Sequence, residues 1–168
     1  VTYLITGRET IWVARLYNII FWTIAGVYLF LLAVRMSLSS ADELSDSNKR
    51  NQAIVIALVA LAYFLILPFA VQASRSFQPD PGMVMWLVIY LYALYRWGET
   101  HQLKFALAAG FLAGIAVLTK AVVAYPIAAT AVAMTISTHR KKVFPNLFLD
   151  RQVWLMAIIM ALPTLVYY

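Results

Sequence analysis

Charged residues divide this chain into long stretches that carry no charge at all. Six such runs lie between Arg15 and Arg35, Arg50 and Arg75, Asp80 and Arg96, Lys104 and Lys120, Lys120 and His139, and from Arg151 to Tyr168. Crossing a hydrocarbon core of about 30 Å takes about 20 apolar helical residues, with about 17–25 tolerated. Four runs meet that length outright. The two shorter ones, before Arg96 and after Lys104, span if those long cations reach back to the headgroups. The expectation is an all-α, polytopic helical membrane protein with six transmembrane helices, residues 1–168 forming a single transmembrane module. Composition excludes the main alternatives. The chain is 64% hydrophobic and 12% charged, against about 45–50% and about 25% for soluble domains, and disorder requires the opposite balance. With no cysteine, a disulfide framework, a thiolate zinc site and a thiolate nucleophile are also excluded.

Basic residues in short loops mark the cytoplasmic side. If the first helix, Ile11 to Met36, runs inward, then Arg35, Lys49, Arg50, Arg96, Lys104, Arg140, Lys141, Lys142 and Arg151 fall inside. Arg8, Arg15, Arg75 and Lys120 fall outside. This asymmetry sets the expected orientation, with the polar stretch Ser37 to Asn51 as a solvated inner loop. Trp12, Tyr17, Tyr95, Trp97, Trp154, Tyr167 and Tyr168 stand near expected span ends, as interfacial anchors do. The chain begins at Val1 with no recognisable signal peptide, and its last apolar run stops at Tyr168. It reads as an interior fragment of a longer protein.

No phosphate-binding loop, dinucleotide fingerprint, HExxH or GxSxG is present. His101 and His139 have no ligand-spaced partner, and no nucleic-acid partner is expected. Chemistry is therefore sought among the outer charges. Pro68 interrupts the end of the second span, and Pro79-Asp80-Pro81 places Asp80 at the start of the third. There a carboxylate either caps the helix or stands at the membrane surface to hold a divalent metal or orient a polar substrate. Arg75 is either a headgroup anchor or a bidentate phosphate ligand. Lys120 interrupts the apolar run Gly110 to Ser137 and predicts a tight turn at Thr119-Lys120. It is either a snorkelling turn lysine or an ionisable group facing a cavity. Gly110 and Gly114, flanked by Ala106, Ala109 and Ala113, predict close helix packing. Arg15 adds a third outer cation, and such a cluster suits an anionic lipid headgroup.

The runs PFAVQASRSFQPDPGMVMWLVIYLYALYRW and LAAGFLAGIAVLTKAVVAYPIA resemble the membrane module of the GT-C glycosyltransferases, in particular the protein-mannosyltransferase-like and aminoarabinose-transferase-like enzymes. The opening Val13-Ala14-Arg15-Leu16-Tyr17-Asn18 looks like the start of that family's second span. The resemblance implies a multi-pass enzyme of the cell membrane, or of the ER membrane in a eukaryote. It would move a sugar from a polyprenyl-phosphate donor to a protein, lipid or glycan hydroxyl outside the cytoplasm. It makes Asp80 a candidate catalytic residue and possible metal ligand, a divalent metal being the one cofactor weighed. Arg15, Arg75 and Lys120 become candidate ligands of the donor phosphate. The family's principal base precedes Arg15. Only Glu9 stands there, and it is not given that role, so the base is expected upstream, as the acceptor-binding half is expected downstream. The alternative is a non-enzymatic membrane protein, a transporter half or a lipid-carrier scaffold, in which Asp80 and Lys120 line a path.

Overall fold

A computed structural model describes residues 11–40, 46–66, 80–139 and 150–167. These residues are almost entirely helical. The helices are α1 (Ile11–Ser40), α2 (Asp46–Ile66), α3 (Asp80–Thr100), α4 (Leu103–Thr119), α5 (Ala124–His139, preceded by the 3-10 turn Ala121–Val123) and α6 (Arg151–Tyr167). Six helices were expected, and six are found among the described residues, with no strand.

The helix ends fall close to the charges that predicted them, with one difference. α1 continues to Ser40 and α2 begins at Asp46, so much of the expected polar loop is helical. Intrahelical hydrogen bonds close as well in water as in lipid. The end of an apolar run therefore marks where the surroundings change, not where the helix must stop. Among the described residues, two stretches are long and apolar enough to cross a membrane: Arg15–Ser39, with mean hydropathy 2.0, and Ser47–Ile66, with 1.5. Leu103–Thr119, Ala121–Ser137 and Arg151–Tyr167 are apolar but shorter. Threonine hydroxyls are satisfied within their own helices. Thr23, Thr100, Thr119, Thr130 and Thr135 each donate to the carbonyl four residues back, at 2.6–2.9 Å, which removes the cost of carrying them into an apolar medium.

The chain divides into two compact units, Val1–Met85 and Trp86–Tyr168. In the first, α1 and α2 form an antiparallel hairpin. Trp22 stacks on Phe64 with centroids 4.4 Å apart, and Ala25, Ala53 and Ala57 are buried. A Cβ on Gly26 would come 3.1 Å from Leu61 Cδ1, so this glycine sets how closely the two helices approach. The first turns of α3 pack on α1, Val84 against Trp22 and Gly82 beside Phe21.

In the second unit, α4 packs on α6 along Ala106, Ala109, Ala113 and Ala116, all buried. A Cβ on Gly110 would lie 2.7 Å from the Met156 carbonyl oxygen, and one on Gly114 would lie 2.5 Å from that of Met160. The helices thus meet backbone to backbone, as the spacing predicted. α3 joins α5 through the Tyr90 hydroxyl, which donates to the Ile127 carbonyl at 3.0 Å. In both units about half of the buried residues are glycine or alanine, while many large apolar ones face outward, among them Val59, Phe111, Ile158 and Val166. Water would penalise that arrangement. Lipid favours it, because close packing and not apolar burial drives helices together there.

Candidate functional site

Asp80 is the first residue of α3 and is half-buried. The sequence Asp80-Pro81 suits a helix start. Proline in the first turn gives up an N–H that has no partner there, and a carboxylate is favoured by the helix dipole. Pro81 is fully buried, which fixes where α3 begins and so where the carboxylate stands. Arg15 is exposed. It lies on the same face of α1 as Asn18, Trp22 and Ala25, which recur at three- and four-residue spacing. Asn18 is buried at 7% exposure, and nothing in its local sequence marks it for a role. Trp22 is also buried, and its indole Nε1 has no hydrogen-bond partner among the described residues. Arg15, Asn18 and Trp22 thus share one face of α1, and Asp80 opens the helix whose first turns pack on α1 beside Phe21 and Trp22.

Lys120 belongs to the second unit. α4 ends at Thr119, Lys120 takes an extended conformation (φ −158°, ψ 112°), and the 3-10 turn begins at Ala121. The predicted break is present, held by Lys120 N–H to the Ala116 carbonyl and Val123 N–H to the Lys120 carbonyl, both 3.1 Å. The Lys120 side chain is exposed at this break. The second unit also holds an apolar cavity of about 150 Å³ between Tyr90, Ala113, Ala128, Ala131, Met156 and Met160. Its walls offer hydrocarbon contact and little else. Arg75 and Pro68 lie outside the described residues.

Among the described residues, no three carboxylate or imidazole side chains gather as a ligand set. His101 sits in the turn between α3 and α4 with φ 50°. Its carbonyl accepts from Gln152 Nε2 at 3.1 Å, while Gln152 Oε1 accepts from Trp97 Nε1 at 2.7 Å. Trp97, read from the sequence as an interfacial anchor, is fully buried. Its indole finds an acceptor across the unit, so it has no need of the interface. Tyr17, Trp154 and Tyr167 are exposed, as anchors are.

A family model described as dolichyl-phosphate-mannose-protein mannosyltransferase matches residues 49–167, from the first turn of α2 to the end of α6. Comparison with curated proteins gives no match, and neither does comparison with solved structures.

Proposed function

Because the chain belongs to the dolichyl-phosphate-mannose-protein mannosyltransferase family, whose members are membrane-embedded glycosyltransferases of the GT-C type, we propose that it serves the transfer of a sugar from a polyprenyl-phosphate donor to a hydroxyl acceptor outside the cytoplasm. The observation that carries this reading is the family match over α2 to α6. The lipid-adapted packing supports it, since a polyprenyl donor is delivered within the bilayer. In this reading the module crosses the membrane six times, the shorter helices included.

In such a transfer the acceptor oxygen bonds to the anomeric carbon as the bond from that carbon to the phosphate oxygen breaks. The electron pair leaves with the lipid phosphate, and the hydroxyl proton passes to a carboxylate. Negative charge grows on the phosphate, and cations already in place stabilise it most. Arg15, Arg75 and Lys120 are assigned that task. Asp80, fixed at the head of α3 by the buried Pro81, accepts hydrogen bonds from sugar hydroxyls and so orients the reacting carbon. Apolar helix faces hold the prenyl chain.

The test uses the full-length protein in nanodiscs with dolichyl-phosphate-mannose as donor. Arg75→Ala and Lys120→Ala are each expected to weaken donor binding more than tenfold, in line with the loss of a charge-assisted contact. Donor affinity unchanged in both removes the phosphate assignment. Asp80→Asn is expected to abolish turnover with folding intact. If melting temperature alone falls, Asp80 is a helix cap.

A further inference from the structure

At the end of the second unit where α3 stops and α4 and α6 start, two cations meet on one ring. The Arg96 guanidinium lies 4.9 Å from the Phe105 ring centroid and the Lys104 ammonium 5.2 Å from it. Arg151 opens α6 beside Gln152, whose bonds to Trp97 and the His101 carbonyl tie the first turn of α6 to this same end. The acidic groups here are Glu99, 3.7 Å from Arg96, and Asp150, which accepts from the Gln152 backbone N–H at 2.9 Å. His101 sits edge-on to Trp97. Among the described residues, three cations thus stand against two carboxylates, each of which has a partner.

We propose that Arg96 and Lys104, with Phe105 between them, bind the phosphate of an anionic phospholipid in the surrounding leaflet. Like charges held against one aromatic ring repel, and a phosphodiester within reach of both relieves that repulsion while the ring still attracts both cations. The guanidinium carries five N–H donors, and its ion pair with Glu99 at 3.7 Å is longer than a hydrogen bond. Leu107 and Phe111 are exposed on α4, three and seven residues beyond Lys104 and on the same face of the helix, so acyl chains have an apolar strip beneath the ammonium. This end carries the basic residues expected to be cytoplasmic. That leaflet is the one that holds anionic lipid, and basic pockets between helices there recognise such headgroups. The site is separate from Arg15, Asp80 and Lys120 and does not depend on the proposed transfer reaction.

The experiment measures lipid binding by the full chain in detergent, by native mass spectrometry, with phosphatidylglycerol and phosphatidylcholine as probes. Phosphatidylglycerol is expected to bind more tightly, and Lys104→Gln and Arg96→Gln are each expected to weaken it about fivefold, leaving phosphatidylcholine binding unchanged. Lys104 is exposed, so its variant keeps the fold even if Arg96→Gln does not. Equal binding of both lipids, or phosphatidylglycerol binding untouched by Lys104→Gln, overturns the proposal. Displacement of the lipid by millimolar inorganic phosphate also overturns it, because the site would then be one for free phosphate.

Discussion

Two tryptophans show how differently the same side chain is treated. Both are buried, yet Trp97 donates to Gln152 while the Trp22 indole N–H has no acceptor among the described residues. Trp97→Phe leaves the Gln152 carbonyl oxygen without its donor and is expected to cost about 1–3 kcal/mol, beyond any loss of packing. Trp22→Phe keeps the stack on Phe64 and removes a group that gains nothing from being buried, so its cost is expected to be smaller. Thermal melting of the two variants in one detergent checks the ranking. The Trp97 bond was not legible in the sequence. A tryptophan next to an arginine near a span end looks like an interfacial anchor, and nothing local to Trp97 announces a glutamine on a distant helix. Asp80 and Lys120 were legible, because Pro-Asp-Pro and a lone lysine in an apolar run each leave the backbone few choices.

At the scale of the helices, charge spacing located every described element, and only the polar extension between α1 and α2 escaped it. Pairing was harder to read. Gly110 and Gly114 announced a close neighbour, but small residues do not say which helix approaches. That neighbour proved to be α6, while α5 turned to meet α3. The glycines make a graded series. Gly110→Ala and Gly114→Ala force a methyl into a carbonyl oxygen 2.5–2.7 Å away, and separating α4 from α6 to admit it is expected to cost about 1–3 kcal/mol or more. Gly82→Ala meets only the Phe21 ring at 3.5 Å, an ordinary contact, and is expected to be tolerated. Melting temperatures in that order support the backbone-to-backbone interface, and a Gly110→Ala protein as stable as the parent contradicts it.

For the whole molecule, the testable quantity is topology. The absence of cysteine lets single cysteines be introduced without background labelling. Ser47→Cys and Gln102→Cys, both at exposed positions, are expected to react with an impermeant maleimide from the cytoplasmic side, and Lys120→Cys from the opposite side. Labelling of all three from one side contradicts the six-span reading. The 17-residue helices α4 and α6 are only about 25 Å long, whereas the 25 residues of Arg15–Ser39 reach about 37 Å. In the six-span reading the polar end of the long helix reaches past the hydrocarbon into water, while the lipid beside the short helices must draw in its chains, at a fraction of a kcal/mol for each ångström of mismatch. A bilayer on the thin side would then suit the short helices best.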